Sequence, residues 1–258
     1  MRLAFGTITY YGGENFEEEI EEYAALFWES NCNSTTTHAR IGAVTDHRPA
    51  SPVETLSGDA SLELPEFGSP PADPLPLLER WLRTAEERGV REPRALALAT
   101  ADEKARPSTR IVLLKRVAPA VVFAFSSASR KGRELSANPR AAGTLYWRET
   151  LQQVVFEGPV EKLGEAESDA LFAERPAAGR AAAVVSRQGQ VLGHPERLRA
   201  EAAELIAGEG ANRRPEDWVG YRLDPDAIEF WHGSTDRLHR RLLYVKREDA
   251  WSHRRLEP

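Results

Sequence analysis

The sequence predicts a mainly β protein: an antiparallel barrel with helices attached at its margins. Three observations carry this expectation. Nine or so short apolar runs are each bounded by turn residues, helical periodicity is confined to a few places instead of alternating with every strand, and composition supports one packed core. Of 258 residues, 41% are hydrophobic and 29% charged, enough apolar surface to bury a core and against whole-chain disorder.

Regular patterning begins at Asp73-Pro74. Asp73 supplies an N-cap, prolines sit in the first turn, and Leu77, Leu78, Trp81, Leu82 and Ala85 recur at helical spacing before Gly89. Strand character follows at 95–100, 108–115 and 120–125. A short helix over 132–137 stops at Asn138-Pro139, and strands resume at 144–147 and 152–163. Helices are expected over 168–174 and 195–207, the second with Leu198, Ala202, Leu205 and Ile206 on one face. The last strands are 219–223, 227–231, 241–245 and 251–256.

The first fifty residues differ in character. Glu14 to Glu29 holds seven acidic and no basic residues, with Ile20, Tyr23, Ala24, Phe27 and Trp28 spaced as in a short amphipathic helix around 15–29. The stretch 47–73 is rich in Pro, Ser and Gly and reads as an extended arm. Residues 1–52 are expected to be an appendage, disordered or structurally dispensable, and 53–258 the working domain.

Composition also excludes function classes. Lys plus Arg number 34 against 40 Asp plus Glu, a formal charge of -6, which argues against a nucleic-acid binder. The longest apolar run, Ala118 to Phe125 with Pro119 inside it, is far short of the roughly 20 residues a membrane helix needs. Cys32 is the single cysteine, so neither a disulfide scaffold nor a cysteine-built zinc site forms within one chain. His38, His47, His194, His232, His239 and His253 are scattered without carboxylate-rich spacing, and no metal site is expected. No secretory signal is visible at the start, so the expectation is a cytoplasmic protein.

What remains is cationic residues beside strands. Arg110 and Lys115 bracket Ile111–Leu114; alternation puts Arg110, Val112 and Leu114 on one face and Ile111, Leu113 and Lys115 on the other. Ser129-Arg130-Lys131 opens a short helix, where backbone N–H groups favour an anion such as a phosphate. Trp231, Arg237, His239 and Arg241 cluster near the end, and Gln152, Gln153 and Gln188 add amides. Any one of these cations alone reads as a solvated strand end. Together they suggest an anionic aromatic ligand, and the residues by themselves go no further.

From Arg110-Ile-Val-Leu-Leu-Lys115 onward the sequence resembles the pyridoxamine 5′-phosphate oxidase family of FMN-binding split β-barrels. The likeness recurs in order through Ser129-Arg130-Lys131 and Asn138-Pro139, Trp147 and Gln152-Gln153-Val154, Glu174-Arg175-Pro176 and Ser186-Arg187-Gln188. It closes with Ile228-Glu229-Phe230-Trp231, Arg237-Leu238-His239, Arg241, Trp251 and Arg255-Leu256, and covers roughly 53–258. Within the family the chain looks most like the phenazine-biosynthesis flavin oxidases, through Leu64-Pro65-Glu66-Phe67, Arg106-Pro-Ser-Thr-Arg110 and Tyr146-Trp147-Arg148-Glu149-Thr150.

The resemblance implies FMN contacts at Arg110, Ile111, Val112, Leu113, Leu114, Lys115, Arg130, Lys131, Gln153, Gln188, Trp231 and Arg241. Arg130 and Lys131 suit the phosphate, and Val112 or Leu113 the isoalloxazine ring. Two positions depart from the pyridoxamine enzymes: their Tyr-Thr pair is Ala124-Phe125 here, and Gly189 follows the second Gln. On the substrate side the matching positions are Lys115, Leu171, Arg175 and Gly179, of which two have lost the family's hydroxyl donors. Arg237 and His239 match the residues over the flavin's substrate face and are the catalytic candidates, with His239 either a proton acceptor or a positioning group. The resemblance further implies a homodimer, FMN as cofactor, molecular oxygen as electron acceptor and a small aromatic carboxylate as substrate. The alternatives are pyridoxine or pyridoxamine phosphate oxidation, a non-catalytic flavin- or haem-binding barrel, and an RNA-binding module on the basic stretch Arg237 to Arg255, which the acidic net charge disfavours.

Overall fold

The computed structural model describes residues 56–208, 210, 213–248 and 250–258. The expected appendage 1–52 and its amphipathic helix lie outside the described residues.

After a 3-10 turn at Pro65–Phe67, the elements are helix α1 (Pro74–Glu87) and strands β1 (Ala95–Ala101), β2 (Pro107–Arg116) and β3 (Val121–Ser126). Helix α2 (Arg130–Ala137) leads into β4 (Arg140–Trp147) and β5 (Gln152–Lys162). Helices α3 (Glu165–Ala173), α4 (Ala177–Val185) and α5 (Pro195–Ala207) precede β6 (Trp218–Leu223), β7 (Ala227–His232), β8 (Arg240–Arg247) and β9 (Ala250–Leu256). The strands run in the order β4-β1-β2-β3-β6-β5-β7-β8-β9, and an additional β4–β5 pairing closes the first six into a barrel. This is the expected mainly β barrel.

The barrel splits at β5. Residues 152–157 pair with β7, whereas Val160 to Lys162 pair with β6. Between them the β6–β7 turn folds over Gly158: Asp226 N–H donates to Glu157 O at 3.0 Å and Asp224 N–H to Pro159 O at 3.1 Å. A Cβ at Gly158 would meet Asp224 O at 2.2 Å. Both partners are backbone, so nothing can rotate away. Gly158→Ala is therefore expected to cost about 1–3 kcal/mol and lower Tm by several degrees, measured by thermal denaturation. An unchanged Tm would show that the turn moves freely.

Alternation fills the barrel. Leu96, Leu98, Leu114, Leu145, Val154, Phe156, Phe230 and Leu242 point inward, and α1 stops one end with Leu77, Leu78, Trp81, Leu82 and Ala85. Asp73 caps that helix by accepting from Leu75 N–H at 2.9 Å. Trp81 lies edge-on to Phe230 at 5.0 Å, and its indole N–H donates to the buried Glu66. A second cluster, Val122, Leu171, Phe172 and Trp218, seats α3 against β3 and β6.

Three expectations need correction. Helix α4 was not expected, because Ala-Ala-Gly-Arg-Ala-Ala-Ala-Val-Val follows a Glu-Arg-Pro breaker and has no polar-apolar contrast. Of the face expected on α5, Leu198, Ala202 and Leu205 are half-buried but Ile206 is exposed. Lys115 does not share the fate of Ile111 and Leu113, because a register shift between Leu114 and Arg116 interrupts the alternation. Among the described residues no helix is long and apolar enough to cross a membrane.

Candidate functional site

Ser129 starts the site. Its hydroxyl accepts from Gly132 N–H at 3.3 Å and caps α2, so the helix opens on Arg130 and Lys131. A Cβ at Gly132 would lie 2.4 Å from Ser127 O, so glycine lets the helix approach the β3 end closely. Lys131 is only 7% exposed, and its Nζ stands over the Phe125 ring at 4.6 Å. Burial and the neighbouring Arg110 bring its ammonium down to about 8. A buried cation met by an aromatic face and a second cation is an arrangement built for an anion.

Arg110 reaches the same place from β2. Its guanidinium donates to Thr100 Oγ1 at 2.6 Å, Leu98 O at 3.3 Å and Ser108 Oγ. Arg130 donates through Nε to Glu134 at 2.8 Å.

On the far side of Phe125 lies a cavity of about 230 Å³, walled by Ala124, Phe125, Arg175, Gln188, Asp217 and Trp218. Arg175 donates to Gly179 O at 2.8 and 3.3 Å and lies over the Trp218 ring at 5.2 Å. Lys115 is half-buried in a separate hollow with Glu79, Arg83, Glu86 and Arg94; burial above all lowers its ammonium, Glu174 opposes this, and the charges of Arg175, Arg116 and Arg94 add to it. The structure thus brings Arg110, Arg130 and Lys131 together, whereas Lys115 and Arg175 line separate hollows within reach of each other's charge.

Leu171 is a different matter. It was expected at the substrate side as a matching position, but it is 0% exposed and belongs to the cluster of Val122, Phe172 and Trp218. It lies on the inner face of α3, so its role is packing. Gly179 contributes its carbonyl, which fixes Arg175. Val112 and Leu114 also turn toward the core, Leu114 being fully buried.

The remaining predicted residues sit elsewhere. Gln153, Trp231 and Arg241 are direct cross-strand partners on β5, β7 and β8, one lateral row on the barrel's outer face. Glu229 grips Arg241 in a bidentate pair at 2.7 and 2.9 Å. His239 lies 4.9 Å from Trp231, centroid to centroid, and its Nδ1 accepts from Ser234 N–H at 3.1 Å. The neutral ring therefore carries its proton on Nε2. Arg237 has φ 67°, the left-handed region, in a turn held by Asp236, which accepts from Leu238 N–H at 2.9 Å and from Ser234 Oγ–H at 2.5 Å.

The outer face has a second feature. Ile111 and Leu113 on β2 are 65% and 59% exposed, and register carries Ile111 through Ala97 and Thr144 to Val155 on β5. Between β2 and β7 stand β1, β4 and β5. Four steps of about 4.8 Å put Leu113 and Trp231 roughly 19 Å apart along the sheet. Within one chain the two features are therefore separate surfaces.

Sequence reasoning missed Glu134, the buried carboxylate between Arg110 and Arg130. Its position four residues after Arg130, on the same helix face, is the signal that could have found it.

Two family models match the chain: one described as Pyridoxamine 5′-phosphate oxidase over residues 82–207, the other as Pyridoxine 5′-phosphate oxidase C-terminal dimerisation region over 218–258. Dihydrophenazinedicarboxylate synthase of Pseudomonas chlororaphis is 44% identical over 206 residues, spanning 80% of this chain and 93% of that protein. Pyridoxine/pyridoxamine 5′-phosphate oxidase of Paraburkholderia phymatum is 46% identical over 191 residues, 72% of this chain and 90% of that protein. The crystal structure of PhzG from Burkholderia lata 383 in complex with tetrahydrophenazine-1-carboxylic acid has a TM-score of 0.75 and 45% identity over 78% of this chain and all of that one. A pyridoxamine 5′-phosphate oxidase-related, FMN-binding protein of Nostoc punctiforme shares the fold at a TM-score of 0.62 and 16% identity, covering 73% of this chain and all of that one.

Proposed function

Because this chain belongs to the pyridoxamine 5′-phosphate oxidase family, we propose that it is an FMN-dependent oxidase of reduced phenazine carboxylates, working as a homodimer in its 53–258 unit. The observation that carries the substrate class is Arg175, fixed by Gly179 O over the Trp218 ring at the wall of the cavity that Gln188 also lines. An arginine fork over an aromatic face suits a planar aromatic carboxylate. The likeness to dihydrophenazinedicarboxylate synthases and to a structure holding tetrahydrophenazine-1-carboxylic acid supports the same class.

The residues present fit FMN. Lys131, Arg130 and Arg110 at the start of α2 would hold its phosphate, and the exposed Ile111 and Leu113 offer an apolar face to its ring. FMN, when bound, supplies a two-electron acceptor that molecular oxygen regenerates. A second copy of the chain completes the site, since Trp231, Arg237, His239 and Arg241 stand too far from Leu113 in one chain. The match to a dimerisation region over 218–258 supports this.

The chain's own groups have modest tasks. Arg175 orients the substrate carboxylate with the charge of Lys115 behind it, and Gln188 lines the cavity beside Arg175. His239 presents its Nε2 proton as a donor because Ser234 occupies Nδ1, so it positions substrate instead of removing a proton. A partly reduced tricycle gains aromaticity when oxidised, so no strong base is required.

The test is kcat/KM of the flavin-loaded protein for a reduced phenazine carboxylate and for pyridoxamine phosphate. A preference of about tenfold or more for the phenazine is expected, corresponding to at least ~1 kcal/mol for each missing hydroxyl contact. Efficient pyridoxamine phosphate oxidation with no phenazine turnover would assign the protein to the other branch of its family, represented by the Paraburkholderia phymatum oxidase.

A further inference from the structure

The i,i+4 pairing with Arg130 does not by itself call for a buried carboxylate at Glu134. Glu134 is 5% exposed on the inner side of α2, where a leucine would fill the space, and burying a carboxylate is costly unless every lone pair is used. Here both oxygens are hydrogen-bonded. Oε2 accepts from Thr100 Oγ1 at 2.5 Å, Ser108 Oγ at 2.6 Å and Arg110 at 3.3 Å; Oε1 accepts from Arg130 Nε at 2.8 Å. The donors come from β1, β2 and α2, so one carboxylate ties together the three elements that surround the start of the helix.

We propose that Glu134 is a positioning residue for anion recognition: it fixes the guanidinium groups of Arg110 and Arg130 beside Lys131, so that a phosphate meets charges already in place. This rests on the reading that the anion is the FMN phosphate. The charge count agrees. Three cations less one carboxylate leave two positive charges, matching a phosphate monoester of about -1.5 to -2. Long arginine side chains held before binding lose little further freedom when the ligand arrives.

The test compares FMN with riboflavin, which has the same ring and no phosphate, on the full-length protein stripped of flavin. In Glu134→Gln the shape is kept and the charge is lost. Charge alone would tighten FMN in this variant, because one more positive charge faces the phosphate. Loss of positioning does the opposite: the FMN dissociation constant is expected to rise about tenfold while that of riboflavin stays within about twofold. Ser108→Ala, which removes one hydroxyl linking Glu134 and Arg110, is expected to raise the FMN constant about threefold on the same criterion, and decides the matter if the glutamine variant does not fold.

An FMN-to-riboflavin ratio equal to that of the unmodified protein in these variants, or equal weakening of both flavins, would overturn the positioning role. Failure of the FMN reading shows earlier and separately, as an unmodified protein that does not prefer FMN over riboflavin.

Discussion

Lys131→Met is expected to release FMN and, at the same time, to stabilise the ligand-free chain. Nζ is buried over Phe125 with Arg110 nearby, so the ammonium is lowered to about 8 from its ordinary 10.5. The fold therefore disfavours its charged form, and methionine fills similar space without a charge. Removing that burden should add about 1–3 kcal/mol to the stability of the flavin-free protein near pH 7, read by urea denaturation. Losing a charge-assisted bond to phosphate should raise the FMN dissociation constant by about tenfold to a hundredfold.

The same geometry sets the pH dependence of the unmodified protein. Its folded-state value lies below the unfolded one, so between about 8 and 10.5 the unfolded chain binds more protons and ligand-free stability rises with pH. FMN affinity runs the other way, falling as pH climbs through 8 and Lys131 loses its proton. Fluorescence titration of FMN between pH 7 and 9.5 measures this. A flat profile, or a methionine variant that keeps its flavin, would remove Lys131 from the anion site.

The double change Ile111→Glu and Leu113→Glu is expected to give a folded, colourless monomer. Both side chains are already exposed in the single chain, so its core should be untouched and its secondary structure retained. In the proposed dimer, however, the outer face of β2 is covered by flavin and a second copy. Burying two unpaired carboxylates there would cost several kcal/mol each, enough to weaken association by about a thousandfold or more. Sedimentation analysis with an absorption spectrum checks both halves. A dimer that retains flavin would place the interface elsewhere.

The sequence by itself determined a good deal. Period-two alternation marked the strands, because a half-buried strand must present alternate residues to core and solvent. It put Ile111 and Leu113 on one face of β2 and Leu114 on the other, which are the exposed and buried faces. Ser129-Arg130-Lys131 announced a capped helix start with cations, a local arrangement set by neighbouring residues and therefore local in the sequence.

Only the tertiary structure decided the rest, and always where distant segments meet. Gln153, Trp231 and Arg241 form one row because β5, β7 and β8 pair in a particular register, which no local pattern encodes. Leu171 matched a substrate-binding position, yet the docking of α3 turned it into the core. The shift near Lys115 is a mismatch between two strands and belongs to neither alone. Glu134 looked like any helix glutamate until folding brought Thr100, Ser108 and Arg110 to it from the sheet. A side chain's type is written in the chain, but its burial and its partners depend on which surfaces pack together, and packing is settled only by the whole fold.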